Sequence, residues 1–213
     1  MSESAEKRSA PTGAPVSRRP FALAAVSACA VVGLGGVKYL PSQTLCRPPG
    51  GQDEEQLVAG CVHCEKCREV CPHNAIAPAH IEQGILNART PRMDFKSGWC
   101  DFCENEPGGP KCIAVCPTHA LTEVDPTAVI IGIAELNRDW CLAAQGMGCH
   151  ECVDVCTYEA LELGYDNVTV VDADACNGCG ACELACISLS AGSITTGATD
   201  RAIVVKPTEE AGA

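Results

Sequence analysis

The sequence predicts an α+β protein built from one small unit repeated in tandem, and three observations carry that expectation. Eighteen of the 213 residues are cysteine, far above the usual share. Sixteen of them fall into four quartets with a shared rhythm, which marks an internal repeat. Only three Phe, three Tyr and two Trp are available to fill a core, so something other than aromatic packing must organise the chain.

Taken in order, the first quartet is Cys61, Cys64, Cys67 and Cys71, spaced C-x2-C-x2-C-x3-C with Pro72 behind it. The second, Cys100, Cys103, Cys112 and Cys116 before Pro117, carries the insertion ENEPGGPK between its second and third thiols. In the third, Cys141, Cys149, Cys152 and Cys156, the insertion LAAQGMG comes one step earlier. The fourth, Cys176, Cys179, Cys182 and Cys186, returns to the compact spacing, with Ile187 in place of proline. The echo runs on past the thiols. CPHNAI, CPTHAL and CTYEAL each place Ala four residues after the last cysteine and an aliphatic residue five after it.

Spacing separates the chemistries open to so many cysteines. Zinc ribbons set two C-x2-C pairs far apart, and disulfide scaffolds do not use neighbouring C-x2-C thiols as long staples. The compact C-x2-C-x2-C-x3-C-P run is the spacing of bacterial 4Fe-4S ferredoxins, in which three thiolates on a tight loop cap one cubane and the fourth serves another. Four such motifs predict four 4Fe-4S clusters, with all sixteen quartet cysteines as iron ligands. Gly178 and Gly180 in CNGCGAC suit a loop with positive φ and close approach of backbone N–H groups to cluster sulfur. His63 and His150 lie between thiols, but each quartet is complete in sulfur, so neither is needed as a ligand. Trp99 and Trp140, just ahead of quartets two and three, are open to two readings, cluster shielding and plain packing.

Between the quartets the pattern places short elements. NVTVVD, residues 167 to 172, reads as a strand with AIVVK, 202 to 206, as its candidate hairpin partner, and GIAELNRDW ahead of quartet three is a candidate strand. CREVC and CELACIS read as single helical turns. The expected organisation is an export signal and membrane anchor over residues 1–40, a linker over 41–60, the four-cluster domain over 61–207 and a flexible tail over 208–213.

Arg18 and Arg19 stand directly ahead of an apolar run from Phe21 to Val37, which resembles a twin-arginine export signal. That route carries proteins already folded. The run's A-x-A triplets, Ala22 to Ala24 and Ala28 to Ala30, sit at its start and in its middle, so retention as an anchor is expected over cleavage, with Lys7, Arg8, Arg18 and Arg19 inside and everything beyond Leu40 outside. A lipobox ending at Cys29 is the alternative. Beyond residue 40 the chain carries 10 basic against 25 acidic residues, a balance of −15, which excludes nucleic acid as a partner. The acidic loop DFCENE, 101 to 106, is a candidate for steering toward a basic redox partner, with simple solvation as the plain alternative. No dinucleotide or phosphate loop and no nucleophile paired with a base is present, so no catalysis of its own is expected.

A twin-arginine signal, then LCRPPGG at 45–51, then four quartets with long insertions in the second and third, resembles the NapG/MauM family of ferredoxin-type electron-transfer subunits. The resemblance implies a place on the outer face of the cytoplasmic membrane, periplasmic in a bacterium with two membranes. It implies transfer from a quinol-oxidising integral membrane ferredoxin protein toward a molybdopterin-containing reductase, with periplasmic nitrate reductase foremost. The alternatives are the iron-sulfur subunit of another molybdopterin oxidoreductase and, in a different class, a zinc-stabilised structural protein. Because quartets one and four share the undisturbed spacing, and because related iron-sulfur subunits are arranged this way, the expected pairing is nested. One cluster would take Cys61, Cys64, Cys67 and Cys186, and its partner Cys176, Cys179, Cys182 and Cys71. The inner two would take Cys100, Cys103, Cys112 and Cys156, and Cys141, Cys149, Cys152 and Cys116.

Overall fold

A computed structural model describes residues 26, 27, 29, 43–104 and 106–208. The twin arginines, most of the apolar run and the last five residues lie outside the described residues; Val26, Ser27 and Cys29 are helical and exposed. Among the described residues no helix is long and apolar enough to cross a membrane.

Residues 43–60, expected as a linker, are built into the fold around the first quartet. Helix α1, Glu54–Gly60, starts at Asp53, whose carboxylate caps the Gln56 N–H at 2.9 Å, and its Leu57 is fully buried. Arg47 is buried too. Its guanidinium meets the Glu54 carboxylate at 2.6 Å and donates to Thr90 Oγ1 and the Pro91 carbonyl, so a charge that would be costly to bury alone is fully partnered. Gly50, at φ +82°, returns the chain against Thr122; a Cβ there would lie 2.1 Å from the Thr122 carbonyl oxygen.

Three two-stranded antiparallel sheets and a set of single-turn helices follow. Strands β1, Ile76–Pro78, and β2, Pro91–Met93, pair as a hairpin. Strand β3, Ile133–Leu136, lies between quartets two and three; β4, Leu161–Leu163, and β5, Thr169–Val171, form a second hairpin. Helices α2, Lys66–Glu69, α3, Lys111–Ala114, α4, Glu151–Asp154, and α5, Ala181–Ala185, each hold the third cysteine of a quartet. Helix α6, Ser188–Thr196, follows the fourth quartet directly, and β6, Ile203–Lys206, closes the chain. The strands at 169–171, 133–136 and 203–206 answer to the three apolar runs in the sequence. Their pairing does not, because β6 pairs with β3 across the molecule while β5 pairs with β4. The reason is local: Asn167 at φ +57° and the turn Gly164–Val168 bring β5 straight back on β4, which leaves β6 free for β3.

The repeated Ala-aliphatic pair is the repeat's core. Ala75–Ile76, Ala120–Leu121 and Ala160–Leu161 are all buried. Each pair is preceded by a residue in the left-handed region, Asn74 at φ +53°, His119 at +52° and Glu159 at +52°, which turns the chain inward after the fourth cysteine. Quartet four lacks this turn because Ile187 opens α6 instead; the proline does not decide it, since quartet three has Thr157 in that place and keeps the turn at Glu159.

Candidate metal centres

The sixteen quartet thiols gather at four sites, each drawn from two quartets. At site I, Cys61 and Cys67 lie within electrostatic reach of Cys64 and Cys116, and all four line one hollow. Site II brings Cys71 among Cys100, Cys103 and Cys112 around a second hollow, which Trp99 also lines. Site III sets Cys156 with Cys176, Cys179 and Cys182 around a third. Site IV sets Cys186 with Cys141, Cys149 and Cys152. The fourth cysteine of every quartet does cross to a partner site, but the pairing is sequential, one with two and three with four. The nested pairing expected from the spacing is therefore overturned.

Local geometry explains the correction. Hairpin β1–β2 starts just after Cys71 and ends just before Cys100, and hairpin β4–β5 does the same between Cys156 and Cys176. Each folds the chain back and delivers the next quartet beside the last, so α2 packs on α3 and α4 on α5. Closing these short loops costs less entropy than joining quartets one and four across more than a hundred residues.

The two pairs meet through sites II and III. The Cys100 N–H donates to the Cys179 carbonyl at 2.8 Å, and the Ile131 N–H to that of Asn177 at 2.9 Å. Phe102, buried between Cys100 and Cys103, meets the Tyr158 ring edge-on at 6.4 Å, and the Tyr158 hydroxyl donates to Glu104 at 2.8 Å. Gly178 and Gly180 have the expected positive φ, +74° and +82°, but the space around them adds a second demand. A Cβ on Gly178 would lie 2.3 Å from the Gly132 carbonyl oxygen, and one on Gly180 would lie 1.9 Å from the Phe95 ring. The sites thus run in the order I, II, III, IV, with Cys67 near Cys112 in the first pair and Cys182 near Cys152 in the second.

Burial dominates the electrostatics of these thiols. It pushes Cys67 up to about 11 and Cys112 up to about 12, and it raises Cys100 and Cys182 strongly, with neighbouring sulfurs adding to the effect at each. Cys116 goes the other way. Burial pushes it up, but the amides of Leu121, Thr118 and Ala120 and the Thr118 hydroxyl bring it below the ordinary thiol value. Backbone amides also aim at sulfur elsewhere, from His63 to Cys61, from Phe102 to Cys100 and from Ala75 to Cys71 at 3.4 Å. An array of crowded, buried sulfurs with N–H groups aimed at them is held in its charged form by a bound metal centre. Four sulfurs around each site and amides directed at the sulfurs fit a 4Fe-4S cubane.

The remaining sequence expectations resolve individually. His150 stands at the N-cap position of α4 with no side-chain cap bond and lies 3.4 Å from the Asp154 carboxylate, and His63 occupies a left-handed loop position. Trp99 stacks on His73 at 4.6 Å beside site II, and Trp140 packs near Cys141 and Cys186. In the acidic loop Asp101 meets His73 at 3.0 Å and caps the Cys103 N–H, Glu104 accepts from Tyr158, and Glu106 pairs with Lys111. Those three carboxylates are engaged within the fold. Cys46, to which the spacing assigned no role, is buried beside Glu183, its thiol pushed up to about 12 and donating to the Val205 carbonyl at 3.7 Å.

Sequence reading missed the residue two places after each fourth cysteine. His73, Thr118, Tyr158 and Ser188 are all polar, and each bonds within the sites, to Asp101, Cys116, Glu104 and Cys186 respectively. A recurrent polar residue at that offset was the available signal.

A 4Fe-4S dicluster domain model matches residues 60–123 and a 4Fe-4S binding domain model matches 168–194. The ferredoxin-type protein NapG of Escherichia coli is 33% identical over 66% of this chain and 65% of its own length. The methylamine utilization ferredoxin-type protein MauM of Methylobacillus flagellatus is 32% identical over 69% of this chain and 66% of its own. MauM of Methylorubrum extorquens is 31% identical over 80% of this chain and 84% of its own.

Proposed function

We propose, from the premise that this chain belongs to the ferredoxin-type family of NapG and MauM, that it is a four-cluster relay joining two redox partners outside the cytoplasmic membrane. That it is an iron-sulfur electron-transfer protein follows from the kinship and the 4Fe-4S domains. The finer reading rests on one observation above the others, the four sulfur sites in unbroken order from I to IV.

When bound, a 4Fe-4S cluster supplies a one-electron store that needs no proton or bond change at the protein. The chain's own part is to hold four such groups in sequence and shield the inner two. The buried rings of Phe102 and Phe95 pack beside sites II and III, while Cys64 of site I is exposed. The Cys100–Cys179 backbone bond fixes the distance between the two pairs. Electrons would enter from a quinol-oxidising integral membrane ferredoxin protein and leave to a molybdopterin-containing reductase, nitrate reductase foremost. Arg18, Arg19 and the apolar run would export the folded chain and tether it to the membrane. A second reading is favoured by the long match to MauM, namely a carrier beside methylamine oxidation.

Anaerobic purification followed by iron and acid-labile sulfide analysis tests the relay, with iron and sulfide near the content of four cubanes expected. Stoichiometric zinc without labile sulfide would defeat it. Reoxidation of the reduced protein by nitrate with its reductase, set against a methylamine-linked partner, separates the two contexts.

A further inference from the structure

Site IV differs from the other sites in having two buried hydroxyls against its sulfurs. Thr169 Oγ1 lies 3.2 Å from Cys152 Sγ, and Ser188 Oγ lies 3.2 Å from Cys186 Sγ. Thr169 and Ser188 are 4% and 2% exposed, so water does not compete for either contact. The Ser188 oxygen already accepts the Ala202 N–H at 2.8 Å, which leaves its own proton for the sulfur. A sulfur that has given up its proton to bind iron can only accept, so both hydroxyls must donate. Among the described residues, site III has no hydroxyl on its sulfurs, and Cys182 is followed by the buried carboxylate of Glu183. At site I the corresponding Thr118 contact is long, 3.8 Å, and exposed.

We infer that Thr169 and Ser188 are positioning residues that raise the reduction potential of site IV above that of site III, so that an electron in the second pair rests at site IV. The inference depends on the quartet thiols being cluster ligands. A hydroxyl donating to a thiolate withdraws negative charge, and it favours the reduced, more negative form over the oxidised one. Transfer within the pair oxidises site III and reduces site IV by one electron; no bond is made or broken, and both hydroxyl protons stay in place. Each bond is expected to change the ratio of reduced to oxidised site IV about tenfold, which is about 59 mV for a one-electron couple.

The test is a dithionite titration of the full-length, cluster-loaded protein followed by electron paramagnetic resonance. Thr169→Val removes the hydroxyl at nearly constant shape, and the potential of one component should fall by about 59 mV, a tenfold drop in its reduced-to-oxidised ratio. Ser188→Ala should lower the same component, Thr169→Ser should hold it near the wild-type value, and Cys179→Ser should mark a different, lower component as site III. The inference is overturned if no component falls in Thr169→Val, if the two variants move different components, or if the component that falls already lies below that of site III. Should Ser188→Ala fail to assemble for want of an acceptor for Ala202, Thr169→Val decides alone. Wild-type protein without labile sulfide would defeat the cluster reading itself, whereas loaded protein whose potentials ignore the hydroxyls defeats only this inference.

Discussion

Gly180 shows how one residue serves two demands. Its φ of +82° matches Glu65, four places after the first cysteine of quartet one, at φ +60°. Glu65 tolerates that backbone because its side chain runs outward to Arg68 and Arg89. At position 180 the same direction is filled by the Phe95 ring, 1.9 Å from where a Cβ would sit. Gly180→Ala should therefore add overpacking of about 1–3 kcal/mol to the strain of positive φ. The expected result is a lower thermal midpoint and loss of the site III signal, measured anaerobically on loaded protein; Glu65→Ala, a change between two residues with the same backbone penalty and only exposed ion pairs to lose, should change little. Equal effects of the two changes would show that the contact with Phe95 is unimportant. The need for positive φ at 180 was legible from CNGCGAC. Phe95 was not, because nothing in the spacing says which distant side chain lies over a loop.

At the scale of elements, the hairpins decide the wiring. The motif states that each fourth cysteine serves another site, and every one does. Which site it serves depends on β1–β2 and β4–β5, strands of three residues each, too short for the sequence pattern to mark as a turn-back. A serine at Cys71 and a serine at Cys112 should consequently disturb one and the same paramagnetic signal, since both sulfurs belong to site II. In the nested arrangement Cys71→Ser would instead disturb the signal altered by Cys179→Ser. The strand at 203–206 makes the same point, since its apolar alternation marks it as a strand yet leaves it free to pair with β3 or β5. Its true partner is set by Gly132, where a Cβ would lie 2.4 Å from the Lys206 carbonyl oxygen, and by Glu183, which accepts the Val205 N–H at 2.7 Å.

For the whole molecule, metal takes the place of a large core. The buried apolar residues are mostly Ala, Leu, Ile and Cys in small clusters, and the cysteines of the four sites run through all of them. Oxidative removal of iron in the presence of a chelator should therefore unfold the chain beyond residue 43, read as loss of protease resistance and of far-ultraviolet dichroism. Retention of both by the iron-free chain would show that the apolar clusters suffice. Raised thiol values point the same way: with Cys67 near 11 and Cys112 near 12, these groups stay protonated at neutral pH unless iron takes the proton's place. Export is a separate property of the chain. Replacing Arg18 and Arg19 by Lys should leave the loaded protein in the cytoplasm, and its normal appearance outside the membrane in cell fractionation would count against a twin-arginine route.

The cysteine spacing by itself determined the repeat, the cluster chemistry and the crossing of each fourth thiol, because metal ligation demands particular atoms at particular intervals and a chain must carry them locally. Tertiary structure alone decided which quartets share sites, where β6 pairs, how residues 43–60 anchor on Arg47 and Leu57, and which hydroxyls reach the sulfurs of site IV. Those facts depend on contacts between segments far apart in sequence. Packing selects them from several arrangements that one spacing permits equally well.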